Sequence, residues 1–417
     1  MNKQALNKLV DNARKNTIFY QQLYKHAPAV IFDLKELPIA THEKIMSVAH
    51  DPHRVSEIFS VHDAFGMFSY SSSTTGKPKT ALFGRDDWRK TNEILAMKHT
   101  ANQVICAGDV VCNLSEPGSA SFMAVHDIIN LSSAPCSEIP LGCDHSYERI
   151  VEACQQFKAN VISGINSTAL GIACYLYKNN QTMPQIRKIW GGGELLYGAQ
   201  QELLKRSFPQ ATLIPFMYGT TEAGAIGFSK PGYQQNVYNT IDESVVIENI
   251  DINTGEEIVE CGVMGVAVVT NKLRTSAPAI RLDTGDFMQW IDPPGTPERL
   301  FSIHGRRYPR HWTFKDIRFT ETDVSALLKE FEKELEITKF QIQLHAGEIN
   351  LILSLLDESL SAEDIKDRAS QILRNSENPV AHCLTDNNYS LHRVGIDYLI
   401  NSSKRKSKLI VEGELVC

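Results

Sequence analysis

Between residues 109 and 217 the chain alternates short apolar runs with amphipathic stretches, and that rhythm limits the folds open to it. Asp109-Val110-Val111-Cys112-Asn113-Leu114, Asn160-Val161-Ile162-Ser163-Gly164, Ile186-Arg187-Lys188-Ile189-Trp190 and the run 212–217 have the length and composition of strands. The stretches 147–157, 167–177 and 194–205 read as helices. Strands alternating with helices predict an α/β fold, a mainly parallel sheet with helices on its faces. Ligands on such sheets bind outside the carboxyl ends of the strands. Two motifs fall at such ends: Gly191-Gly192-Gly193-Glu194 and Tyr218-Gly219-Thr220-Thr221-Glu222.

The flanks read differently. Residues 1–60 look helical, with Leu6, Leu9, Val10 and Ala13 at helical spacing. Asp86 and Asp87 can cap a helix that runs to about Thr100. From 243 to 303 short β-rich runs are broken by turns, which predicts an antiparallel β subdomain. Beyond 305 the composition becomes charged. Helices near 321–335 and 361–374, with strands near 338–344, 348–355 and 391–399, predict a small α+β domain. The expected division is a large N-terminal domain, 1–305, and a small mobile C-terminal domain, 306–417.

A net charge of −7 gives no electrostatic reason to expect nucleic acid or an anionic membrane as partner. No apolar run approaches the ~18 residues of a membrane span. The nine cysteines include no C-x-x-C pair, and the N-terminus lacks a signal-peptide core. They read as reduced thiols in a cytoplasmic protein.

The run Ser71-Ser72-Ser73-Thr74-Thr75-Gly76-Lys77-Pro78-Lys79 places five hydroxyl residues before a glycine, a cation and a proline. Backbone N–H groups, hydroxyls and an ammonium on one turn make a cradle for phosphate oxygens. It is not the common P-loop, because Ser71 stands where glycine is required and Pro78 where Ser or Thr should hold magnesium. Taken alone, the run reads equally well as a surface linker.

Five signals fall in order: 71–79, 191–194, 218–222, Thr284-Gly285-Asp286 and Gly305-Arg306. Singly, the glycines could form a helix-entry turn and Thr284-Gly285-Asp286 a hairpin turn. Together they resemble the adenylate-forming (AMP-binding) enzymes, and the phenylacetate–CoA ligase branch in particular. Asn16-Thr17-Ile18-Phe19-Tyr20, followed by 34–38, is similar to the helical opening of that branch. The resemblance covers essentially the whole chain and is weakest after Arg306.

The resemblance implies activation of a small aromatic carboxylic acid by ATP and Mg2+ as an acyl-adenylate, with release of pyrophosphate. CoA is the implied acceptor, with an acyl carrier protein or an amine as alternatives. Ser71, Ser72, Ser73, Thr74, Thr75, Gly76 and Lys77 would hold the β- and γ-phosphates. Gly192, Gly193 and Glu194 would line the adenine pocket. Tyr218 would stack on adenine, beside Gly219 and Thr220, and Thr221 would bond the α-phosphate. Glu222 would hold magnesium, as a hard carboxylate suits a hard cation. Asp286 would accept from the ribose hydroxyls and Arg306 would reach the ribose. Near the C-terminus, Lys406 matches the lysine that serves adenylation, with Lys404 and Lys408 as rivals. His126, Gly164, Asn166 and Ser167 would border the acid, although a lone histidine is more often structural. The sequence carries no argument for or against a homodimer.

Two departures bear on the second half-reaction. The family's hinge lies two residues after the arginine of the Gly-Arg motif, and here that position is Tyr308, followed by Pro309. The glycine loop that borders the CoA channel is replaced by Lys315-Asp316-Ile317. A nucleotide-binding relative that no longer catalyses is the competing expectation.

Overall fold

The computed structural model describes residues 3–60, 65–70, 79–194, 196–307, 311–384, 389–395 and 408–412. It is an α/β protein of two compact units, Met1–Pro140 with Leu213–Arg307, and Leu141–Thr212 with Tyr308–Cys417.

The first unit is built on a seven-stranded antiparallel sheet. Its order is Val245–Ile250, Gly265–Asn271, Leu282–Trp290, Leu300–Arg306, Val237–Thr240, Gly224–Phe228 and Met217–Thr220. This is the β subdomain the turn-broken runs predicted. It also takes in Met217–Thr220, which the sequence reading had assigned to the end of a parallel strand. The helix Lys3–Asn16 buries Leu6, Leu9, Val10 and Ala13, the face its spacing predicted. Further on, Ala40 bridges in parallel to Leu282 and so ties this N-terminal segment to the middle of the sheet.

The helix Arg85–Ala101 begins two to three residues earlier than a cap at Asp86 or Asp87 would set it, with Gly84 as its N-cap. Asp87 instead turns its carboxylate to the backbone N–H groups of Thr275 (3.0 Å) and Ser276 (3.2 Å). A Cβ on Gly84 would lie 2.1 Å from Ser276 Oγ, so only glycine fits this packing. The strands Val110–Asn113 and Ser137–Ile139 pair in parallel, with the helix Ala120–Leu131 between them in sequence.

In the second unit Val161–Ser163 pairs in parallel with Lys188–Gly191, connected through the helix Asn166–Lys178. That is the βαβ unit the alternation predicted. The next helix is Gly198–Ser207, so Glu194 lies outside it. The C-terminal part forms a four-stranded sheet in the order Tyr389–Arg393, Glu348–Leu355, Ile337–His345 and Ile410–Glu412. Helices Glu321–Phe331 and Ala362–Asn375 start at capping boxes on Thr320 and Ser361. They bury Val324, Leu327, Phe331, Ile365 and Ala369 in one core with Phe340 and Leu353.

Candidate active site

The site of the first unit is built around Asp286. Thr284-Gly285-Asp286 is not a hairpin turn but lies inside the strand Leu282–Trp290, which bends there. Gly285 has φ +76°, and the pairing with Leu300–Arg306 shifts register between Asp286 and Met288. The bulge leaves Asp286 opposite Arg306. Arg306 Nε lies 3.0 Å from Asp286 Oδ1, and the Tyr218 hydroxyl donates to Oδ2 at 2.6 Å. Burial pushes the Asp286 carboxyl above its ordinary pKa, against the pull of Arg306 and of the Tyr218 hydrogen bond. The Tyr218 phenol is pushed well up by burial and by the Asp286 charge. Its ring packs on Tyr238 and Phe301, with centroids 5.6 and 5.9 Å away. Tyr218 therefore orients the acid through its hydroxyl, a role its motif did not reveal.

The rest of the Tyr218–Glu222 motif folds as a tight turn between Met217–Thr220 and Gly224–Phe228. Thr220 Oγ1 accepts from Ala223 N at 3.0 Å. A Cβ on Gly219 would lie 2.6 Å from the Gly224 carbonyl oxygen. Thr221 is half-buried in the turn. Glu222 pairs with Lys79 Nζ at 2.8 Å, with side chains 10% and 14% exposed. Burial would raise the Glu222 pKa, but Lys79 reverses this and the carboxyl titrates below its ordinary value. Lys79 closes the hydroxyl-rich run and carried no assigned role in the sequence reading. Its signal was a cation directly after Pro78.

Residues 71–78, Lys77 among them, lie outside the described residues, as do Lys404 and Lys406. The strands on either side of the run, Gly66–Tyr70 and Thr80–Gly84, pair antiparallel with Tyr70 opposite Thr80.

His42 was not foreseen. It opens the helix His42–Ala49, and its ring lies against the bend: a Cβ on Gly285 would sit 2.8 Å from His42 Nδ1. Burial, then the charge of Lys79, lowers its pKa and keeps the imidazole neutral. No local pattern marks such a residue, because it is brought to the site by contacts distant in sequence, the Ala40 bridge to Leu282 and its own N–H on Asp283 Oδ2.

His126 extends from the helix Ala120–Leu131 to Glu138, Nδ1 to Oε2 2.6 Å, and its Nε2 meets Asn130 Nδ2 at 3.1 Å. Glu138 also accepts from Asn113 Nδ2 at 2.8 Å. Both ring nitrogens are thus engaged in a polar network.

In the second unit the two remaining groups meet. Ser167 N donates to Glu194 Oε1 at 2.8 Å, and Asn166 Nδ2 donates to the Glu194 carbonyl at 2.6 Å. Gly164 N donates to Trp190 O at 3.1 Å. Glu194 thus places a carboxylate on the N-terminus of the helix Asn166–Lys178, where negative charge is favoured. Gly193 has φ +81°, and a Cβ on Gly192 would touch nothing within 4 Å, which leaves its backbone open.

Among the described residues no group of three or more His, Cys, Asp or Glu side chains could hold a metal by itself. Glu222 offers a single ionised carboxylate, which suits a cation held mainly by phosphate oxygens and water, as Mg2+ usually is. Among the described residues no helix is long and apolar enough to cross a membrane.

No protein-family model matches the chain. Among curated proteins, indoleacetate–lysine synthetase of Pseudomonas savastanoi is 25% identical over 170 residues, 39% of this chain and 41% of that protein. The match thus spans less than half of either chain. Among solved structures, 2-hydroxyisobutyryl-CoA ligase in the postadenylation state with 2-HIB-AMP aligns over 98% of this chain and 88% of its own, with TM-score 0.72 and 16% identity. ATP-bound MatB of Rhodopseudomonas palustris aligns over 81% and 68%, with TM-score 0.51 and 14% identity. The fold is that of the acyl-CoA and adenylate-forming ligases.

Proposed function

We propose that the chain activates a small carboxylic acid with ATP as an acyl-adenylate, releasing pyrophosphate. The observation that carries this reading is the convergence of Lys79, Tyr218, Glu222, Asp286 and Arg306, from four separate motifs. The charges of Arg306, Lys79 and Glu222 all act on Asp286. In this reading Asp286 accepts from the ribose hydroxyls, and Arg306 reaches the same sugar. The hydroxyl-rich run, with Lys77, holds the β- and γ-phosphates. Glu222 would hold magnesium, which would neutralise phosphate charge. Lys79 keeps Glu222 ionised for that task. Thr221 bonds the α-phosphate. The acid's carboxylate oxygen attacks the α-phosphorus while the bond to pyrophosphate breaks. The protein's part is positioning and charge compensation. Lys406, which the resemblance matches to the lysine that serves adenylation, would stabilise the charge that develops.

The favoured acid is aromatic, as in the phenylacetate–CoA ligase branch, and CoA is the acceptor that branch implies. A second reading gives the acyl group to an amine. The curated relative's name supports it, since indoleacetate is an aromatic acid and lysine an amine. ATP–pyrophosphate exchange across a panel of acids tests the first step, and mass spectrometry of products formed with CoA or amino acids separates the acceptors. Bound ATP with no exchange for any acid would favour the non-catalytic alternative.

A further inference from the structure

We propose that Asp283 is a positioning residue for the nucleotide, locking the Gly285 bend to the point where the chain leaves the first unit. The inference rests on the nucleotide reading of Asp286. Asp283 is buried, its side chain 4% exposed, and a carboxylate so placed is costly unless its oxygens are engaged. Oδ1 accepts from Gly285 N at 2.8 Å. Oδ2 takes Arg307 Nη1 at 3.1 Å and the His42 backbone N–H at 3.5 Å. A second tie runs beside the first, since Arg307 N donates to the Gly285 carbonyl at 2.7 Å. From below, Asp283 N donates to Ala40 O at 3.0 Å, while the His42 ring closes over Gly285.

These bonds bracket the proposed ribose site. Gly285 precedes Asp286 by one residue, Arg307 follows Arg306 by one, and Asp286 and Arg306 face each other across the strands. One carboxylate therefore fixes both neighbours of the pair. Arg307 is also the last residue of the first unit. Loosening Asp283 should let Asp286 and Arg306 drift without removing either, which raises the cost of binding nucleotide through lost preorganisation.

The test uses full-length Asp283→Asn, Arg307→Gln and the double variant. ATP affinity is measured by calorimetry, and hydrogen exchange by mass spectrometry over residues 283–307. Asp283→Asn should weaken ATP by about tenfold or more, the scale of a lost charge-assisted bond. It should also speed exchange at Gly285 and Arg307. Adding Arg307→Gln should cost less than about a further twofold, because the two side chains act as one unit. If Asp283→Asn folds poorly, Arg307→Gln alone carries the test, as that side chain is only partly buried. Unchanged ATP affinity in the variants, or fully additive effects, would overturn the inference. Wild-type protein that binds no ATP would overturn the nucleotide reading itself.

Discussion

Asp286 is held between a guanidinium on one oxygen and a phenol on the other. A carboxylate has lone pairs enough to keep both partners and still accept from ribose. Asp286→Ala should remove charge-assisted bonds worth ~1.5–3 kcal/mol and weaken ATP by roughly tenfold or more. Unchanged affinity in an ATP titration would count against the assignment. Tyr218→Phe is the finer probe, because it keeps the ring packing on Tyr238 and Phe301 and deletes only the hydroxyl. The Tyr218 bond lowers the Asp286 pKa, so its loss should raise that pKa further. The acid limb of the pH profile for ATP binding should then move to higher pH in Tyr218→Phe, with little change at neutral pH. A limb that stays in place would show that the hydroxyl does not govern the acid. Lys406→Ala should slow acyl-AMP formation by orders of magnitude and leave ATP binding nearly unchanged. If Lys404→Ala or Lys408→Ala does so instead, the register of the C-terminal motif is displaced.

At the level of elements, the helix Arg85–Ala101 carries a testable liability. His99 is fully buried on it, stacked on Phe216 with centroids 4.2 Å apart, and its ring nitrogens have no hydrogen-bond partner among the described residues. Burial pushes its pKa from 6.5 down to about 3. Between those values the unfolded chain binds a proton that the folded chain refuses. The stability is therefore complete above 6.5 and is lost as pH falls below it, by up to about 1.4 kcal/mol per pH unit. His99→Phe should be neutral or stabilising at pH 7 and should flatten that loss. Urea midpoints at pH 7 and 5.5 that fall equally in both proteins would refute the assignment. Elements of this kind also show what the sequence made legible. The face of Lys3–Asn16, the parallel pair Val161–Ser163 with Lys188–Gly191 and the antiparallel subdomain all follow from local periodicity and strand chemistry. Boundaries set by tertiary contacts did not follow. Gly84 rather than an aspartate starts its helix because Asp87 is claimed by the 275–276 backbone. Glu194 lies before its expected helix because it sits on the N-terminus of another. The motifs gave roles to Tyr218, Glu222, Asp286 and Arg306; Lys79 stood in its run without a role, and His42 and Asp283 lay outside every motif. The roles of those three depend on partners far away in the chain, such as the Ala40 bridge to Leu282.

For the whole molecule, the decisive stretch is where the chain passes out of the first unit at Arg307. Asp283 and the Gly285 carbonyl both hold that residue. The next two residues are Tyr308 and Pro309, which lie outside the described residues. Proline fixes its own φ near −65° and pushes the preceding residue out of the α region. In the family this chain resembles, the matching position must change φ/ψ for the small domain to swing between adenylation and thioester formation. If one arrangement requires Tyr308 in a sparsely populated region, it costs ~1–3 kcal/mol. That shifts its population by roughly five- to 150-fold. We therefore predict that acyl-AMP forms readily and that its transfer to CoA is slow or absent, in keeping with an amine or another acceptor. Single turnovers with the true acid, following acyl-AMP and acyl-CoA separately, decide the matter. Acyl-AMP that persists with CoA present supports the prediction, and Pro309→Ala should then speed its consumption. Rapid, complete conversion to acyl-CoA by the wild type would mean that Tyr308-Pro309 imposes no such constraint and that a neighbouring residue supplies the swing.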